Sequence, residues 1–152
     1  MTAIGFYHLT RTGADRALPL LLGRTLAAKE RAVVMCADAA RVAAMDDALW
    51  LSADPDWLPH GTARGTGLAG EPALQPIWLT ERDEAPNGAR YLFLLDGARS
   101  ARLAEFARVF DLFDGAEAGA VEAARLRWGE AKAAGHEVTY WQQGERGWER
   151  RA

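Results

Sequence analysis

The side chains best suited to chemistry lie late in the chain, on Gly115–Ala134, an Ala-rich stretch that reads as one long helix stopped by Gly135 in a left-handed cap. At 100° per residue, Ala120, Val121, Ala124, Trp128 and Ala131 fall on one apolar arc. Arg125 and Lys132 flank that arc on the side of Val121 and Trp128. Arg127 lies across the helix from them and faces elsewhere. A rigid indole beside an unpaired guanidinium suits a ligand with an apolar group next to a carboxylate, because the planar fork matches the anion while the ring covers the hydrocarbon. A peptide C-terminus ending in a hydrophobic residue has that shape. The same spacing also fits a core Trp128 with Arg125 as a solvated partner of Glu122, and periodicity leaves both readings open.

A second cluster is Leu49, Trp50 and Leu51, followed by Pro55, Trp57, Leu58, Pro59 and His60. Two tryptophans seven apart, separated by a polar turn, are hard to bury together in a small core. An apolar surface patch of this kind often marks a protein partner, although core packing of one of the two is also expected.

Other chemistry is thin. Gly65, Gly67 and Gly70 make a literal G-x-G-x-x-G, which in a dinucleotide fold joins a first strand to the helix whose N-terminus holds a pyrophosphate. Here Pro59, His60 and Gly61 come shortly before it and Pro72 and Pro76 follow, so neither the strand nor a long helix fits. A flexible loop is the expected reading, and an α/β nucleotide-binding enzyme using Gly65 to Gly70 is the alternative. No G-x-x-x-x-G-K-[ST] phosphate cradle occurs. His8, His60 and His136 lack the i, i+4 pairing of a helical metal site. Cys36 falls in an apolar run, where a cysteine is usually an inert core residue. Asp46 and Asp47 point about 100° apart on a helix, a poor acid–base pair. Asp96 and Gly97 follow a strand, where α/β enzymes place ligands, but that position alone defines nothing. No nucleophile, base and orienting group assemble, so no catalytic residue, cofactor or metal is expected.

The elements that must position these residues are short apolar runs alternating with Ala/Leu/Arg stretches, the pattern of a mostly parallel sheet with crossover helices. Strands are expected at Ile4–Leu9, Ala32–Ala37, Pro76–Thr80, Tyr91–Leu95 and Val109–Phe113. Helices are expected from Asp15, as cap, to about Glu30, from Asp38 through Val42 and Met45, over Ser100–Arg108, and over Gly115–Ala134. The expectation is a single three-layer α/β domain with helices on both faces and Rossmann-like topology. Residues 1–137 form its body, and 138–152 a polar, aromatic tail of the same domain without clear periodicity.

With 152 residues, 49% hydrophobic and 26% charged, the chain has the composition of a globular domain. A net charge of −3 argues against tight binding along a phosphate backbone. Positive charge is nevertheless concentrated after Arg125, and a nucleic-acid binder through that end is a third, least favoured reading. A lone cysteine excludes an internal disulfide and a thiolate zinc site. The first residues lack the basic start and apolar run of a signal peptide, and no apolar stretch approaches the ~20 residues that span a bilayer. A cytoplasmic protein that does not enter a membrane is expected.

Taken in order, Phe6 to Leu9, Met45 to Trp50 with Trp57 to His60, Phe106 to Gly115, Ala124 to Trp128 with Lys132 to His136, and Thr139 to Gln143 resemble the chi subunit of bacterial DNA polymerase III, over nearly the whole chain. The D-x-A-L-W…L-P-H and R-x-R-W…A-G-H pairings carry most of the specificity. The resemblance implies a binding module without catalytic activity. It would link the clamp loader to single-stranded DNA-binding protein by gripping that protein's acidic, Phe-terminated C-terminal tail. It implies a tail pocket on the last helix at Arg125 and Trp128. Trp128, in place of a tyrosine, keeps a stacking surface but changes the hydroxyl chemistry. A further basic position of the family falls on Val121, a departure that Lys132 is expected to offset. The equivalents of Trp50 and Trp57 would receive the psi subunit or another clamp-loader component, making the chain a monomer or a heterodimer partner.

Overall fold

The computed structural model describes residues 2–55 and 57–152. One sheet runs through the molecule, built from β1 (Ala3–Leu9), β2 (Ala32–Met35), β3 (Gly61–Thr62), β4 (Ile77–Thr80), β5 (Tyr91–Leu95), β6 (Arg108–Asp114), β7 (Glu137–Gly144) and β8 (Gly147–Arg150). The spatial order is β3-β4-β2-β5-β6-β1-β7-β8. Every neighbouring pair is parallel except the β7–β8 hairpin. Strands such as Ala32-Val-Val and Ile77-Trp-Leu-Thr80 are buried on both sides, which is why they read as unbroken apolar runs.

Helices α1 (Ala14–Ala27) and α2 (Ala39–Leu51) cover one face, and α3 (Ala118–Ala133) covers the other. Phe93, stacked on Phe110 at 4.2 Å, joins Leu18, Leu22 and Met45 in the first core; Phe6, Trp78, Phe113 and Ala124 belong to the second. This is the three-layer α/β domain expected from the sequence.

Several local expectations change. The α1 N-cap is Gly13, which makes no side-chain cap, while Asp15 sits inside the first turn, where its charge complements the helix dipole. Asp38 does cap α2, its Oδ1 accepting the Arg41 N–H at 2.8 Å. The stretch 100–108 is not a helix but a single 3₁₀ turn at Leu103–Glu105 leading into β6. Tertiary partners take over its polar groups: Asp83 accepts from the Ser100 hydroxyl and the Ala101 N–H, and the Thr2 hydroxyl is shared by the Leu103 and Phe106 carbonyls.

The segment 138–152, expected as a tail, supplies most of β7 and all of β8. Its side chains are half-buried along the whole of β7 beyond Glu137, so no alternation marks it as strand. Gln143 ties it down by accepting the N–H groups of Thr10, Arg11 and Thr12 through Oε1.

Candidate functional site

Helix α3 is fixed at both ends. Glu117 stays extended as N-cap, its carboxylate accepting the Gly119 and Ala120 N–H groups at 2.9 and 2.7 Å, so the helix starts at Ala118 rather than Gly115. At the far end Gly135, at φ 85°, donates to the Lys132 carbonyl and His136 to the Ala131 carbonyl, the two bonds of a Schellman turn.

The buried stripe of α3 is Ala124, Arg127 and Ala131. Arg127 therefore does not face solvent, as the apolar arc implied. Its Nε and Nη2 donate to the Asp111 carboxylate on β6 at 2.7 and 2.9 Å, and both side chains are less than a tenth exposed. Burial pushes the Asp111 carboxyl above its usual range, and the Arg127 guanidinium opposes that shift. With this pair sealed in the core, α3 has a set rotation about its axis, and Trp128 comes to the rim of the buried stripe.

Trp128 is half-buried. Its ring meets Phe6 edge-on at 5.6 Å and Tyr140 at 6.0 Å, and Lys132 Nζ stands 5.8 Å from its centroid. Arg125, one turn earlier, is exposed, and among the described residues it forms no ion pair, with Glu122 or with any other acid. Val121 is half-buried on the same side and adds an apolar wall. The four residues singled out on this helix thus lie along one side of it. One side of Trp128 packs on the core and the rest of the ring is not sealed, while the expected pairing of Arg125 with Glu122 does not form among the described residues.

Two neighbours of these residues were missed. His8, near the end of β1, stacks on Phe113 at 4.9 Å and accepts the Tyr140 hydroxyl at Nδ1, 2.7 Å away, while its Nε2 edge lies against the Gly115 backbone. Burial lowers the His8 pKa below its usual 6.5 and the Arg125 charge lowers it further, against a raising contact with Gly115. Burial raises the Tyr140 hydroxyl, with Arg125 opposing. Only the parallel register of β1 with β7 brings His8 and Tyr140 under α3, and no local spacing in the sequence carries that register. This side of α3 can therefore meet an anion at Arg125 beside an aromatic surface, with the imidazole of His8 close by.

The second cluster is split: Leu49, Leu58 and His60 are buried, while its two tryptophans face outward. Trp50 is 57% and Trp57 70% exposed, so neither enters the core. Leu51 and Leu68 are also exposed, and the Trp50 ring rests 4.5 Å from His60, whose ring nitrogens meet the Leu58 carbonyl and the Asp46 carboxylate.

The remaining candidates form no site. Gly65–Gly70 follows the two-residue β3 and closes into one 3₁₀ turn, with the Gly65 and Ala69 backbones too close for a side chain between them; no helix begins there. Cys36 is buried and its thiol is pushed up to about 12. Asp96 pairs with Arg41 at 2.8 Å. Among the described residues no three His, Cys, Asp or Glu side chains are grouped to hold a metal, and no helix is long and apolar enough to cross a membrane.

The fold is a doubly wound, mostly parallel α/β domain, with Arg125, Trp128 and Lys132 on one side of its last helix and Trp50 and Trp57 exposed on α2 and the loop that follows. Residues 1–139 match the family model for the DNA polymerase III chi subunit, HolC, and the chain belongs to that family. It is similar to the probable DNA polymerase III subunit chi of Rickettsia prowazekii (strain Madrid E), at 24% identity over 113 residues, 72% of this chain. The match spans 66% of that relative's length.

Proposed function

We propose that this chain is a replication accessory module without catalysis of its own. Its α3 groove grips the acidic, Phe-terminated C-terminal tail of single-stranded DNA-binding protein, and its Trp50/Trp57 patch docks on the clamp loader through a psi-type partner. The observation that carries the reading is Arg125: an exposed guanidinium that among the described residues pairs with no acid, beside an indole that is backed by Phe6 and Tyr140 and carries Lys132 on its ring. A terminal carboxylate completes the cation, and a terminal phenyl covers the ring.

Calorimetry with a peptide ending in Pro-Phe tests this. The intact peptide binds at about micromolar affinity, and removal of the final Phe abolishes binding. Equal affinity for the shortened peptide sinks the proposal. Salt weakens the interaction, because screening acts over about 8 Å at physiological ionic strength.

A pH dependence follows from His8. In the free chain its depressed pKa keeps the imidazole neutral at pH 7. An acidic tail laid beside Arg125 favours the imidazolium, so the complex takes up protons and affinity rises as pH falls through the bound-state pKa of His8 towards its lower free-state one. His8→Gln flattens that profile above pH 5. A flat profile in the parent chain places the tail elsewhere.

The second surface separates from the first. Trp57→Ala impairs attachment to the clamp loader in a pull-down and leaves tail-peptide affinity unchanged, since Trp57 is exposed and packs against none of the α3 groove residues. Loss of both functions together marks a folding defect and removes the assignment of Trp57 to a separate docking surface.

A further inference from the structure

On the sheet face opposite α3 lies a cleft of about 240 Å³ that neither proposed surface uses. Tyr7, Tyr91, Phe110, Trp141 and Trp148 supply its rings, and Arg24 and Arg108 its charges. The last turns of α1, with Leu21, Arg24 and Thr25, form one wall of it, and β7 and β8 carry Trp141 and Trp148 on the other side. Gly5 deepens it: a Cβ there would stand 2.7 Å from Tyr7 Cε1, so the phenol ring lies back flat across the strand.

The rings are arranged as platforms. Tyr7 and Trp141 are parallel within 8° at 6.2 Å, and Trp148 meets Tyr7 edge-on at 5.0 Å. The Arg108 guanidinium lies 4.6 Å over Phe110 and 5.5 Å from Tyr91, and both Arg24 and Arg108 bear on the Tyr7 phenol. Among the described residues no Asp or Glu lines the cleft. Tyr91, Trp141 and Trp148 are only half-buried, so their surfaces remain available.

We propose that this cleft binds a nucleotide, its base against the open faces of the half-buried Trp148 and Tyr91 rings and its phosphate on Arg24 and Arg108. A guanidinium held over a ring still presents its edge N–H groups to an anion, in the fork geometry that phosphate matches. Flat aromatic walls fit a π-faced base rather than a branched aliphatic side chain, and such stacking tolerates any base. The volume admits one ring system and not a duplex. Tyr91 and Arg108 open β5 and β6, so the cleft lies toward the ends where those strands begin, away from the carboxyl ends at which doubly wound sheets take dinucleotides. Two cations on a chain of net charge −3 make this a weak site, distinct from a tight backbone binder.

The test is an NMR titration of the full chain with thymidine 5′-monophosphate and, separately, with a thymidylate tetramer. The indole N–H signals of Trp141 and Trp148 shift with Kd on the order of 0.1–1 mM, while those of Trp50, Trp57 and Trp128 stay in place. If the tetramer binds about tenfold tighter, with a log K against log salt slope near −1.4, the nucleotide comes from a single strand. Equal affinity for both ligands identifies the free nucleotide as the source. Arg24→Ala with Arg108→Ala lowers affinity about tenfold or more and leaves Pro-Phe peptide binding intact. Arg24→Ala alone, on an exposed helix position, weakens the same shifts and guards against misfolding of the double variant. No shift with either ligand, shifts centred on Trp128, or shifts indifferent to the arginines overturn the proposal.

Discussion

Replacing Asp111 by alanine destabilises the domain by about 3–5 kcal/mol and lowers its melting temperature by roughly 10 °C. The aspartate sits on a central strand with 2% of its surface exposed, and its two oxygens occupy both outward faces of the Arg127 fork. Truncation leaves a guanidinium that cannot be deprotonated, enclosed by β6 and α3 with no anion to meet it. Arg127→Met is gentler and depends on pH. Without the opposing cation the buried Asp111 carboxyl climbs further above its ordinary 3.8, so the native state holds a proton that the unfolded chain has lost. That group then favours folding as pH falls from neutrality toward 3.8, and the variant regains stability in mild acid. Asp111→Ala regains none. The double variant Asp111→Leu with Arg127→Met returns to within about 1–2 kcal/mol of the parent, since a buried ion pair offers little net stability over well-packed apolar groups. Scanning calorimetry of the three variants at pH 5 and pH 7 checks this. Additive losses in the double variant rule out the coupling.

That ion pair also explains why the site was only half legible in the sequence. Helical periodicity placed Val121, Arg125, Trp128 and Lys132 on one side of α3, and the chain does place them there, because a 3.6-residue repeat is a local property. The same reasoning turned Arg127 outward. A charged side chain is read as polar, and only Asp111, sixteen residues away on β6, makes its burial affordable. The central strands were legible for the converse reason: burial on both faces leaves continuous apolar runs. Strands β7 and β8 were not: the half-buried side chains of β7 give no alternation, its pairing to β1 spans more than 130 residues, and the mostly exposed β8 pairs only with β7. His8 and Tyr140 were lost with that register. At Ser100–Arg108 helical spacing was present, but Asp83 and Thr2 offered the backbone better partners than a helix would have.

Arg125→Ala and Trp128→Ala each remove most binding of the Phe-terminated peptide while the fold survives. Burial of a terminal phenyl contributes roughly 1.5–3 kcal/mol and a charge-assisted hydrogen bond to the carboxylate about 1.5–3 more. Ordering a flexible tail consumes part of both, so a micromolar interaction has little to spare. Loss of either term moves Kd by about tenfold to a hundredfold, beyond the range of an ordinary titration. Arg125 is exposed and forms no ion pair among the described residues, so its removal leaves thermal unfolding unchanged. Trp128 contacts Phe6 and Tyr140, so its truncation carries a stability cost that must be separated from the binding loss. Trp128→Tyr makes that separation: it keeps a ring against Phe6 and under Lys132, and it retains peptide binding within about tenfold. The groove has a third cation in reach, and Lys132→Ala weakens binding by less than Arg125→Ala does, because its ammonium is a single hydrated charge without the bidentate fork. Peptide affinity that survives both Arg125→Ala and Trp128→Ala, with the fold intact, removes the tail from α3.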